Sequence, residues 1–138
     1  MYLIDTNVVS ELRKDKRRDP RVAAWFQKVS DEDLYISVLV VGEIRQGVEK
    51  VRRSDKRYAH TLEMWLNEVV ETFGSHILPI DQKVAEIWGR MAAQGSFPVI
   101  DTLLAATAEA HGLTLVTRNV KDIRGGFLRY LNPFEYDI

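Results

Sequence analysis

The sequence holds no cysteine in its 138 residues. That absence excludes disulfide bonds and thiolate-ligated zinc, and it fits a reducing cytoplasm. No apolar run approaches the roughly 20 residues that a membrane-spanning helix needs. The opening residues carry Asp5 and Glu11 within a mixed stretch, so a secretory leader is not expected. Neither sign of charge is in excess: 19 Lys and Arg stand against 20 Asp and Glu, a formal net charge of −1. A globally basic nucleic-acid binder is thereby excluded, while local patches stay open. Internal repeats and low-complexity tracts are also lacking. What remains is ordinary globular material, 46% hydrophobic and 28% charged, of a length that suits one domain over residues 1–138 with one core.

Tyr2-Leu3-Ile4 is a short apolar run followed at once by Asp5, Thr6 and Asn7. Such a run reads as a buried parallel strand, whose carboxyl end is where open α/β sheets bind their ligands. Asp5 has two readings: a helix N-cap, or a side chain free to bind a ligand. The stretch Ile77-Leu78-Pro79-Ile80-Asp81 repeats the strand-then-Asp shape, so more than the pattern must separate the two acids. Helical spacing follows over 6–13 and then over 20–29, where Asp19-Pro20 supplies a cap and a first-turn proline. Between them, residues 13–18 carry five cations in six positions. They are either a solvated loop or a rim that attracts phosphate.

A second strand is expected over 34–37, then a helix from Val38 to about Val51 and another from Tyr58 to Phe73, together a long helical hairpin. Glu43 borders the apolar stripe of the first of these, with Gly47 one turn on. It is either a snorkelling surface acid or a ligand-facing one. A third strand is expected over 76–80, with Asp81 capping the next helix. Pro98 opens a helix over 99–111, on which Asp101 shares a face with Leu104, Ala105 and Ala108. A carboxylate on an apolar face needs a partner, and the helix dipole, at about 1 kcal/mol or less, is too weak to be the whole of it. Gly112 ends that helix, a fourth strand follows over 113–117, and the tail either packs on the sheet or adds an edge strand.

This alternation, with helices outnumbering strands, predicts a parallel sheet covered on both faces. Asp5, Asp101 and the segment after Val116 then meet at one sheet edge, and Glu43 joins them if its helix leans over that edge. Acids gathered in a wet cleft repel one another unless a divalent ion lies between them, and oxygen ligands suit Mg²⁺ or Mn²⁺. His60, His76 and His111 are expected at loop or helix-end positions away from the acids, structural or exposed, which speaks against zinc. Acid-bound Mg²⁺ serves mainly phosphoryl chemistry, with Arg13, Lys14, Arg45, Arg118 and Lys121 as cations to hold a polyanion.

Four segments in order carry a resemblance. Leu3-Ile4-Asp5-Thr6-Asn7-Val8, the stretch Ser37 to Glu43, Asp101-Thr102-Leu103-Leu104-Ala105-Ala106 and Thr117-Arg118-Asn119-Val120-Lys121-Asp122 resemble the motifs of PIN-domain nucleases. The ending Leu131-Asn132-Pro133-Phe134-Glu135 is similar to the FitB-like branch of VapC toxins. The resemblance implies a three-layer α/β/α fold with a small central parallel sheet of four to five strands and a protruding helical hairpin. It implies an Mg²⁺-dependent endoribonuclease acting as the toxin of a toxin–antitoxin pair, as a homodimer. The antitoxin would cover the acidic cleft and carry the contact with DNA. Asp5, Glu43 and Asp101 are the implied metal ligands. Asn119 stands where many relatives have Asp, so Asp122 is the candidate for the fourth acid. Thr6 and Thr117 are candidates to hydrogen-bond the acids or a metal-bound water, and Arg13 and Arg118 to meet substrate.

Three other readings are weaker. A receiver-like phosphoacceptor would place paired acids after the first strand, and a haloacid-type phosphatase would place Asp where Asn7 stands. A non-catalytic PIN-fold partner in an antitoxin–DNA regulatory complex remains the alternative, because fold does not dictate function.

Overall fold

The structure, a computed structural model, describes residues 1–119 and 129–138. Its centre is β1 (Tyr2–Ile4), in which Leu3 and Ile4 are wholly buried. An apolar strand of this kind has no solvent face and is stable only between neighbours. β1 pairs in parallel with β2 (Leu34–Ser37) on one side and β4 (Thr114–Val116) on the other. β3 (Ile77–Leu78) and β5 (Tyr130–Leu131) complete the sheet in parallel, giving the order β3-β2-β1-β4-β5. Ile4 sits opposite Val116, which in turn faces Leu131.

The described residues hold six α-helices: α1 (Thr6–Arg13), α2 (Pro20–Lys28), α3 (Val38–Arg52), α4 (Lys56–Phe73), α5 (Gln82–Ala92) and α6 (Val99–His111). Their starts are written locally. Asp19, Ser37, Asp55 and Asp81 each accept a hydrogen bond from a first-turn backbone N–H. Gly112 ends α6 at φ 65°, a left-handed position that a Cβ would strain. From β1 the chain steps outward to β2 and β3, then crosses back over β1 to reach β4. Right-handed crossovers therefore put α1–α4 on one face of the sheet and α5–α6 on the other. α3 and α4 form the helical hairpin, and α5 packs along α6. The core joins Leu3, Ile4, Ile36, Leu115 and Val116 of the sheet to Val8, Val22, Val40 and Leu104 of the helices. Trp25 closes it beside the edge of Tyr2, with ring centroids 5.2 Å apart.

Several expectations change in detail. The third strand is two residues long, because His76 belongs to the 3-10 turn Gly74–His76 and Pro79 has no N–H to extend a ladder. The tail does add an edge strand, β5. His60 lies inside α4 rather than at an end, exposed on its surface, while His111 is exposed at the end of α6. His76 stacks on Tyr35 with centroids 4.1 Å apart, and its Nδ1 lies 2.9 Å from the Leu34 carbonyl oxygen, a structural position. On α1, the inward residue beside Val8 and Val9 is Glu11, 4% exposed, while Leu12 is only half-buried.

Candidate active site at the switch of strand order

The chain leaves β1 toward β2 but returns to β4 on its other side, so the loops after β1 and β4 diverge and leave a crevice at their carboxyl ends. Asp5 and Thr117 are the first residues past those two strands. The Asp5 N–H donates to the Val116 carbonyl at 2.9 Å, carrying the β1–β4 ladder one step further. Its side chain is 5% exposed. Oδ1 accepts from the Thr6 N–H at 2.7 Å. Oδ2 accepts from Thr117 Oγ1 at 2.7 Å and from Asn7 Nδ2 at 3.2 Å. Three donors thus offset the desolvation of this carboxylate. The network continues outward: the Asn119 N–H donates to Thr117 Oγ1 at 3.1 Å, and the Arg118 N–H donates to Asn7 Oδ1 at 3.3 Å. Asp5 is therefore both a cap of α1 and the tie between two strand ends 112 positions apart in sequence.

Glu43 reaches the same place from α3. Thr6 Oγ1 donates to Glu43 Oε1 at 2.6 Å, while the N–H of the same Thr6 serves Asp5. One residue thus holds an acid on each side, and α3 does lean over the edge. A Cβ built on Gly47 or Gly42 meets no atom within 4 Å, so the helix beside Glu43 is open. Asp101 is half-buried in the first turn of α6. That helix packs on β1 and β4 and ends at Gly112, just before β4 begins, so its first turn lies toward the carboxyl edge. Among the described residues no three acid, histidine or cysteine side chains already form a group able to hold an ion. Asp5 and Glu43 are joined through Thr6, whose N–H serves the first and whose hydroxyl serves the second. Asp81, by contrast, is exposed and only caps α5, through the Val84 N–H at 3.0 Å.

The cations divide by what they touch. Arg118 is exposed, its guanidinium carbon 3.8 Å from the Phe134 ring centroid. Arg13 donates to the Tyr58 hydroxyl at 3.1 Å and lies over Trp65, 5.9 Å from the ring centroid. Arg45 is occupied elsewhere: with Arg52 it clamps Glu49 and Glu63, tying α3 to α4. Hydrogen bonds to Glu63 and Glu49 hold the Arg45 pKa up, and those from the arginines hold both glutamates below their ordinary range. Arg18 is also spent internally, donating to the Glu11, Leu12 and Lys14 carbonyls at the end of α1. The buried Glu11 accepts from the Asp19 N–H at 3.1 Å and pairs with Lys14 at 2.5 Å. Sequence patterning missed Glu11, and its one signal was the cation at i+3. Asp122 and Lys121 lie outside the described residues.

The PIN domain pattern matches residues 2–124, so the chain belongs to the PIN-domain family. Within that family it is similar to proteins named as a toxin and as VapC ribonucleases. It is 31% identical over 140 positions to Toxin FitB of Neisseria gonorrhoeae, covering 97% of this chain and 99% of that one. It is 34% identical over 142 positions to the VapC ribonuclease Y4jK of Sinorhizobium fredii, covering 98% and 99%. The crystal structure of FitAcB from Neisseria gonorrhoeae superposes with a TM-score of 0.87 at 30% identity, over 98% of this chain and 99% of that one. A structure of FitAB bound to a DNA fragment gives the same TM-score at 28% identity, over 100% and 99%. The chain is thus a member of the FitB/VapC toxin group, with the parallel five-stranded PIN fold.

Proposed function

We propose that residues 1–138 act as one PIN-like domain, a divalent-metal-dependent endoribonuclease and the toxin of a toxin–antitoxin pair. The observation that carries this reading is the network at the strand switch: Asp5 held by Thr6, Asn7 and Thr117, and Glu43 held by the same Thr6. Asp5, Glu43 and Asp101 would hold Mg²⁺, or Mn²⁺. The chemistry of the donor set fits, because Asp5 Oδ1 and Glu43 Oε1 each accept one hydrogen bond and keep a lone pair, and Mg²⁺ takes one or two carboxylates with waters and substrate phosphates rather than a full protein cage. When bound, the ion would neutralise charge on the scissile phosphodiester and lower the pKa of water. The chain's own work is positional. Thr6 and Thr117 fix the carboxylate rotamers, Arg118 faces the solvent side of the crevice, and Asn119 or Asp122 fills the fourth position.

The relatives' complexes support an antitoxin as partner, one that would occupy the crevice and make the contact with DNA, so that this chain meets DNA only indirectly. A homodimer in the cytoplasm completes the reading. The test is cleavage of total cellular RNA by the isolated protein in Mg²⁺, with EDTA and Asp5→Asn as controls and new 5′ ends sequenced. Discrete ends that need both the metal and Asp5 support the proposal. Metal binding without new ends favours the non-catalytic partner, a reading that the uncharged Asn119 keeps in view.

A further inference from the structure

The cationic run after α1 is only partly consumed by the fold. Arg18 caps carbonyls and Lys14 is matched by Glu11, but Arg13 and Arg17 have no carboxylate against them among the described residues. These two, with Lys14 and Tyr58, line a surface cavity of about 320 Å³. Among the described residues no acid lines it; Glu11, Asp15, Asp19 and Asp55, the nearby acids in sequence, stay outside its lining, Glu11 being the buried partner of Lys14. The Tyr58 hydroxyl and the Trp65 ring hold the Arg13 guanidinium without neutralising it. A cavity walled by guanidinium and ammonium groups, two of them unmatched in charge among the described residues, suits a phosphate group.

Its place on α1 says which phosphate. At 100° per residue, Thr6, Ser10 and Arg13 fall on one stripe of α1, with Asn7 and Lys14 along its border. The opposite side carries the buried Val8, while the buried Val9 borders the stripe on its other edge. One end of this polar face holds Asp5 and Glu43 through Thr6, and the other end opens into the cavity. The helix between them spans about 10–12 Å.

We propose that the cavity of Arg13, Lys14, Arg17 and Tyr58 is a phosphate subsite for single-stranded RNA, gripping the strand away from the phosphodiester at Asp5. This rests on the ribonuclease reading and adds to it where the strand lies. Arg13 and Arg17 contact the phosphate, and Tyr58 is a positioning residue for Arg13.

The test compares a long single-stranded RNA that the protein cuts with the shortest oligonucleotide it still cuts. The double variant Arg13→Gln/Arg17→Gln is expected to raise KM about tenfold on the long RNA, leave kcat within about twofold and leave the short substrate unchanged. The salt dependence of binding should flatten by about 0.7, the share of the one phosphate no longer neutralised. Tyr58→Phe should give part of the KM rise, and Arg90→Gln, a charge control on α5, none. An unchanged KM on long RNA overturns the proposal. So does an equal rise on both substrates, which would mean a general field effect, or a fall in kcat alone, which would mean a structural role. Loss of affinity for an acidic peptide with RNA binding intact overturns it in favour of a protein partner. Should the native chain cut no RNA, the ribonuclease reading fails by itself. Binding of a long single-stranded RNA then decides the subsite, upheld if the double variant flattens the salt slope and overturned if it does not.

Discussion

Asp5→Asn separates a helix cap from a site residue. Asn caps a helix about as well as Asp, so if capping were its whole role the change would cost a few tenths of a kcal/mol. The geometry demands more. The oxygen facing the Thr6 N–H must stay an oxygen, so the new amide nitrogen takes the place of Oδ2, opposite Thr117 Oγ1 and Asn7 Nδ2. Thr117 already accepts from Asn119, and Asn7 can turn its oxygen inward only by giving up its bond from Arg118. Two hydrogen bonds to a charge become neutral or unmade, about 1 kcal/mol each, and one buried donor is stranded for about 1–3 more. Relief of the buried charge offsets part of this. The expected net loss is about 2 kcal/mol, or roughly 6–10 °C in Tm for a chain of this size. Thermal unfolding by circular dichroism measures it, with and without Mg²⁺, beside RNA cleavage. The variant should also lose cleavage and the Tm increment that the metal adds. Thr117→Val should couple to it by about 1–2 kcal/mol in a double-mutant cycle. A Tm within about 1 °C of the native value, or additive single changes, would refute the two-strand tie and return Asp5 to a cap.

Three further outcomes are expected. Asp101→Asn should abolish RNA cleavage and the metal-dependent part of the Tm; an unaltered metal increment in thermal unfolding would remove Asp101 from the site. Glu11→Ala should destabilise by about 1–3 kcal/mol in urea unfolding, because it strands the Asp19 N–H and removes the partner of the half-exposed Lys14, with Glu11→Gln costing about half; a loss below about 0.5 kcal/mol would show the buried acid to be idle. The α3–α4 clamp should be acid-sensitive: Glu49 and Glu63 titrate below their ordinary value of 4.5 in the fold, so their stabilisation is full above that pH and lost as pH falls through the lowered values. Glu63→Gln should therefore flatten the acid limb of a stability-versus-pH curve, and an unaltered limb would count against the clamp.

What the sequence determined by itself is what neighbours along the chain decide. Helical periods, the capping acids at Asp19 and Asp81, and the stop at Gly112 depend on a few adjacent residues, and each keeps its expected place in the fold. The acid after β1 and the half-buried Glu43 were visible for the same reason: a charge set against an apolar pattern is a local anomaly. Strand lengths were less legible, because Pro79 and the turn at His76 shorten β3 within a run whose composition stays apolar. That Asp5 and Thr117 share one sheet edge was expected, but only the tertiary structure made β1 and β4 neighbours and their two side chains direct partners, because strand order is set by which apolar faces pack. The same holds for like charges in one run. Arg13, Lys14, Arg17 and Arg18 look alike in sequence. A carbonyl, a carboxylate, a phenol or open water beside each decides which are structural and which stay available, and those neighbours come from α1, α4 and the loop between helices folding together.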